Sequence, residues 1–239
     1  MIDVLQFYQA NLSPIVRFAP PVLAILVLWI GLMRAGPAPK ARTTGLVVTG
    51  LLLVWWGVSD LIARSGFYTQ HWGMMRPVGW IIAILWVIPL MRSATIGSAL
   101  DAMPLWLPVI VQVYRAGGGL AWFGLVAAGK IQAGIGLVAG TGDTLVGILA
   151  VVTAVYLYSG ARGGRVMAIA WNTFGLLDFA VSNIVQTFIP YSLVYPAIMI
   201  PAFFAPMSVD VHALSLRQLF RAMRLPTDAA SASIPARAA

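Results

Sequence analysis

Long apolar runs separated by short polar segments, many of them basic, organise most of this chain. A helix that crosses a bilayer needs about 20 mostly apolar residues, and the runs predict about seven such spans. They fall near 14–33, 44–63, 77–91, 102–129, 144–161, 166–188 and 192–214. Pro20 and Pro21 should bend the first or delay its start. The third is short, with Arg76 and Arg92 placed to snorkel at its ends. Trp72, Trp80 and Trp106 sit near predicted ends, as an aromatic belt would place them.

The fourth run is different. It places Arg115 at its centre, next to Gly117, Gly118 and Gly119. As one straight helix it would be about 42 Å long, against a hydrocarbon core of about 30 Å. The preferred expectation is a single span with Arg115 embedded, tilted and broken at the glycines. The alternative lays 97–113 in the interface and starts the span near Arg115.

Charge orients the frame. With the N-terminus outside, Arg34, Lys40, Arg42, Arg92, Arg162, Arg165, Arg217, Arg221 and Arg224 fall inside, and Arg17, Arg64, Arg76 and Lys130 outside. The excess favours an N-out, C-in bundle of seven spans. Residues 1–223 read as one transmembrane helical domain and 224–239 as a flexible polar tail. The first span follows Asp3 and is closely followed by basic residues, so it reads as a retained helix rather than a cleaved leader.

Composition agrees. The 239 residues are 60% hydrophobic and 9% charged, with a mean hydropathy of +0.89; ordinary soluble domains are roughly a quarter charged. The fold class expected is all-α, a polytopic membrane bundle. The net charge of +8 is explained by cytoplasmic loops and anionic headgroups, so nucleic acid is not an expected partner. There is no Cys, and every acidic residue is Asp, which excludes disulfide and thiolate chemistry. Two histidines, His71 and His212, are too few for a His-rich metal centre. The sequence calls for no cofactor and no metal.

Ionisable residues inside apolar spans are costly and by default point to function. The sixth run carries WNTFGLLDFAVSNIVQ, 171–186. Trp171, Gly175, Asp178 and Ser182 share one helix face, with Asn172, Asn183 and Gln186 on an adjacent stripe. This strip is either the wall of a polar cavity or a paired contact that glues two helices. Arg115 is the natural partner, with Gln112 on its face; its fork suits a carboxylate or phosphate, and equally an ion pair with Asp178 or Asp143. GTGDT, 140–144, places Asp143 where it would cap a helix beginning there, or touch a ligand at the cavity mouth. It lacks the GK[ST] of a phosphate loop. Ser208, His212 and Ser215 share a face, with Asp210 directed elsewhere. A hydrolytic triad needs convergence in space that this spacing does not suggest. Asp60 and Lys130, at span ends, read as interfacial.

Seven spans invite comparison with retinal proteins, but 192–214 has no lysine for a Schiff base. Haem ligation would need histidines on facing spans, and His71 lies in a loop. The string QVYR, GTGD, WNTFGLLDF, PAFFAPMSVDVHALSL resembles the pattern QxxR, GxGD, WNxxGLxDL, PxFxxPxxxxxHxxSL of a family of small bacterial polytopic membrane proteins with no assigned activity. It covers 104–217; KIQAGI, 130–135, departs from it. The resemblance implies a bacterial cytoplasmic (inner) membrane, and no reaction.

The expected site is therefore Gln112, Arg115, Asp143, Trp171, Asn172, Asp178 and His212. Besides the lipid bilayer, its expected partner is a small anionic or amphiphilic molecule, a lipid among the possibilities, which is bound or translocated. Two other readings remain open: an embedded enzyme acting on a lipid or isoprenoid, for which paired carboxylates at DxxD spacing are missing, and a non-catalytic subunit whose polar strip meets another membrane protein.

Overall fold

The computed structural model describes residues 13–35, 38–189, 193 and 195–224. The tail expected at 224–239 lies outside them, apart from its first residue. Among the described residues there are helices and no strands. In chain order these are α1 (Ser13–Ala35), α2 (Ala38–Arg64), α3 (Phe67–Gln70), α4 (Trp72–Arg92), α5 (Ile96–Asp101), α6 (Trp106–Ile110), α7 (Tyr114–Ala127), α8 (Ala133–Tyr158), α9 (Gly164–Phe188) and α10 (Ala205–Arg224). A 3₁₀ turn, Val111–Val113, joins α6 to α7, and a π-helical turn, Ile200–Phe204, leads into α10.

Six helices are long and apolar enough to cross a membrane: Arg17–Ala35, Pro39–Arg64, Trp72–Arg92, Trp106–Ala127, Ala133–Tyr158 and Gly164–Phe188. They suit a multi-pass membrane protein. Leu26, Val54, Leu85, Ile148, Leu177 and Ile184 are exposed on their outer faces, a surface of the kind that lipid would cover. Inside, Trp55 packs edge-on against Trp86 and Phe203, at 5.1 and 4.7 Å between ring centroids.

Two ion clusters fix opposite ends. At one, Asp60 accepts from Arg17 (3.0 and 3.1 Å), Arg64 (2.8 Å) and the Tyr195 hydroxyl (3.0 Å). Asp60, expected at the interface, is 6% exposed, because donors from three residues stand where water would. At the other end Asp101 accepts two bonds of 2.7 Å from Arg217 and another from Arg221. Gln218 Nε2 donates to the Leu100 carbonyl, and Arg165 Nη1 to that of Ala222 at 3.4 Å. Residues 195–224 therefore reach from the Asp60 end to the Asp101 end. They do so as an irregular stretch followed by α10, not as the regular span expected at 192–214.

Other boundaries move too. The helix expected from 144 begins at Ala133, since Gly134, Gly136, Gly140 and Gly142 are helical and GTGDT is interior. Asp143 caps nothing. The helix expected from 77 begins at Trp72, which carries Trp80 away from an end and into the bundle, 6.2 Å from the Phe179 ring. Residues 106–127 form one continuous helical stretch, long and apolar enough to cross a membrane. Its tightened turn lies before Arg115, at Val111–Val113, and the three glycines stay helical.

Candidate functional site

Arg115 lies near the middle of Trp106–Ala127, and Asp143 and Asp178 near the middles of α8 and α9. Antiparallel packing brings the three to one level. Arg115 Nε donates to Asp143 Oδ1 at 2.7 Å, and Nη2 donates to Asp178 Oδ2. Phe179 puts its ring under the guanidinium, 4.0 Å from Cζ. Nη1 faces His212 Nε2 at 3.4 Å. The Arg115 side chain is 2% exposed.

The network beyond fixes the histidine tautomer. Asn172 Nδ2 donates to the Ala168 carbonyl (2.8 Å) and to Ser215 Oγ (3.0 Å). That leaves Asn172 Oδ1 as the acceptor at 2.9 Å from His212 Nδ1. The imidazole proton is therefore assigned to Nδ1, and the Nε2 lone pair points at Arg115. Replacing Asn172 with leucine is expected to orphan the Nδ1 proton and Ser215 and to destabilise by about 1–3 kcal/mol. Thermal unfolding in detergent checks this, with Asn172→Asp as the variant that keeps an acceptor.

Asp143 is held a second time: Trp122 Nε1 donates to Oδ2 at 3.1 Å. Gln112 Nε2 donates to the Ser208 carbonyl at 2.9 Å, and the Tyr114 hydroxyl bonds Ser208 Oγ. Trp171 donates to the Val146 carbonyl at 3.0 Å and lies 4.8 Å from the His212 ring. The seven residues expected at the site thus converge, in two roles. Arg115, Asp143, Asp178, His212 and Asn172 form one continuous polar chain. Gln112 and Trp171 are framework that ties α10 and α8 around it.

Close backbone approach makes this possible. A Cβ at Gly142 would overlap the Asp178 carboxylate, and one at Gly175 would sit 2.5 Å from His212 Cε1 and Nε2. Small residues let helices come this near in a membrane. Two voids of about 30 Å³ each flank the cluster and share Asp143, Phe179, Ile200 and Ala205 as walls. Arg115, Tyr114 and Ser208 line one. Asp178, Ser182 and Trp80 line the other, and there Ser182 Oγ is buried without a hydrogen-bond partner. Both voids run along the π-helical turn, a geometry found often at functional sites.

One guanidinium faces two carboxylates, so the cluster suits a proton or cation as a third party, or an anion only if a carboxylate gives way. Burying such a set is unfavourable unless each charge is paired and hydrogen-bonded. Nucleophilic chemistry finds no arrangement here. Ser208 bonds Tyr114 and Ser215 bonds Asn172, while Asp210 faces another cavity. No trio of His, Asp, Glu or Cys among the described residues is placed to hold a metal.

Trp122 and Phe179 were not anticipated. Trp122 was within reach of the sequence, because it lies seven residues after Arg115 on the same face. Phe179 was not, since its place under Arg115 depends on how α7 and α9 cross.

A family model described as a domain of unknown function (DUF8737) matches residues 67–220, from α3 to α10. No curated protein and no solved structure matches the chain.

Proposed function

The chain belongs to the DUF8737 family, and we propose that it is a carrier or receptor for a small anionic or amphiphilic molecule, held at Arg115 inside the bundle. The observation behind this is a guanidinium that is 2% exposed, set between two carboxylates and bordered by voids containing an unpartnered serine hydroxyl. The carboxylates differ. Asp143 is clamped by both Arg115 and Trp122. Asp178 is bonded to Arg115 through one oxygen, while both carboxylates border the void that contains Ser182.

Asp178 is therefore the member that exchanges. A proton taken up on its carboxylate removes the negative charge facing Nη2. The ligand's anionic oxygen then takes that place on the guanidinium, with Ser182 as a further donor. Charge is conserved within the site, since one proton and one anion enter together. Arg115 and Asp143 stay paired throughout, so the bundle is not left with an isolated buried charge. The reading also places residues 195–224 as a seventh crossing, N-out and C-in, in a bacterial cytoplasmic membrane.

A second reading has its own observation. Each guanidinium nitrogen of Arg115 faces a side chain, Phe179 lies under its plane, and Gly142 brings α8 hard against Asp178. A cluster so closed could serve only to pin α7, α8, α9 and α10 together, as in a non-catalytic subunit.

The chain has no cysteine, so single thiols can separate the two readings. In sealed vesicles a Ser182→Cys protein is expected to react with a water-soluble methanethiosulfonate from at least one face. The reaction should quicken when Asp178→Asn is added. Complete protection from both faces, with and without Asp178→Asn, in a protein that still reacts once unfolded, would leave only the pinning role.

A further inference from the structure

Helix α10 has two working faces. Ser208, His212 and Ser215 are turned toward α7 and α9. Met207, Asp210, Val211 and Leu214 line a separate cavity of about 110 Å³, walled on its other sides by α1, α2, α4, α5 and α6 with the 3₁₀ turn. Its lining is apolar with two exceptions, the Asp210 carboxylate and the Trp86 indole.

Those exceptions are unsatisfied. Asp210 Oδ2 and Trp86 Nε1 are buried, and neither has a hydrogen-bond partner. They lie near each other without meeting hydrogen-bond geometry. A buried acceptor without a donor and a buried donor without an acceptor are each costly, and native proteins leave few of them. The polar chain at Arg115 makes no use of either group, and no basic residue lines this cavity.

Among the polar ends an apolar molecule can carry, a hydroxyl satisfies both atoms, as a lone water would. A hydroxyl accepts from an indole N–H through a lone pair while donating its own proton to a carboxylate oxygen. An ammonium can donate to Asp210 but has no lone pair for Trp86. A carboxylate can accept from Trp86 but brings like charge to Asp210. A hydrocarbon does neither, although it fits the remaining walls. We propose that this cavity is a second binding site, for an apolar molecule bearing a hydroxyl, whose body lies among Leu28, Leu52, Leu90, Met103 and Leu214 and whose hydroxyl bridges Trp86 Nε1 and Asp210 Oδ2. The proposal does not rest on the reading of Arg115.

Photolabelling tests it on the full chain in nanodiscs. The probe is dodecan-1-ol carrying a diazirine on its chain, competed by unlabelled dodecan-1-ol, dodecane, dodecylamine or dodecanoate. Crosslinks are expected in 84–91 and 207–214. Dodecan-1-ol should compete best, with dodecane about tenfold weaker, the worth of one or two buried hydrogen bonds. Trp86→Phe keeps the ring and removes only the donor, so it remains informative if Asp210→Leu fails to fold; each is expected to weaken labelling about tenfold. Labelling unchanged in Trp86→Phe would overturn the proposal. So would dodecane competing as well as the alcohol, which would leave a simple apolar void. Preference for dodecylamine would make the cavity a cation site and overturn it too.

Discussion

Replacing Arg115 with glutamine is expected to be the most damaging single change in the polar cluster, lowering stability by about 3–5 kcal/mol. Asp143 and Asp178 would then face each other inside the bundle with no cation between them, and Phe179 would lose the guanidinium over its ring. The converse change is much milder. Asp178→Asn leaves Arg115 paired with Asp143, one positive charge against one negative, and an amide can still accept from Nη2. The asymmetry should be measured by thermal or SDS unfolding in one detergent. A triple change, Arg115→Gln with Asp143→Asn and Asp178→Asn, should recover most of the loss, because removing every charge is far less costly than stranding two. Equal losses for Arg115→Gln and Asp178→Asn would mean that the two carboxylates are not held by the arginine.

The second large effect concerns a residue without a side chain. Gly142→Ala builds a Cβ into the space occupied by the Asp178 carboxylate. Neither side can yield easily, since the carboxylate is fixed by Arg115 and the backbone by helix α8. A loss of about 1–3 kcal/mol is expected from overpacking, together with separation of α8 from α9. The Gly142→Ala, Asp178→Ala double variant tells the causes apart. If the collision is the cause, Gly142→Ala adds little once the carboxylate is gone. If instead the glycine is needed for its backbone, the two effects add.

How much of this was legible in the sequence follows from which forces are local. Apolar runs recorded the long helices well, because a span must be apolar along its length whatever its neighbours. Their ends were recorded badly. GTGDT looked like a helix start because Gly and Asp favour caps in isolation, yet packing against α7 keeps those glycines helical and turns Asp143 inward. The last segment differs in another way. Residues 192–214 are apolar enough to suggest a regular span, but the chain there passes through turns and a π-helical turn before α10 begins at Ala205.

At the site, Arg115, Asp143, Asn172, Asp178 and His212 stood out because burial makes each expensive, and such residues seek one another. Their wiring was not legible. Which carboxylate takes Nε and which takes Nη2, and that Asn172 rather than an aspartate orients His212, depend on helix crossing angles. Nor could residue types reveal that Asp60 is buried. Its donors come from Arg17, Arg64 and Tyr195, and only Arg64, four residues on, lies near it along the helix.

The measurement that bears most directly on the central claim is native mass spectrometry of the protein released from nanodiscs, as wild type, Asp178→Asn and Arg115→Gln. If Arg115 holds an anionic or amphiphilic ligand in exchange with Asp178, wild type carries a stoichiometric adduct. Asp178→Asn should raise its occupancy by freeing Nη2, and Arg115→Gln should abolish it. A bare mass in wild type and Asp178→Asn alike, with Arg115→Gln differing only in stability, would contradict the account and leave the cluster as a pin between helices.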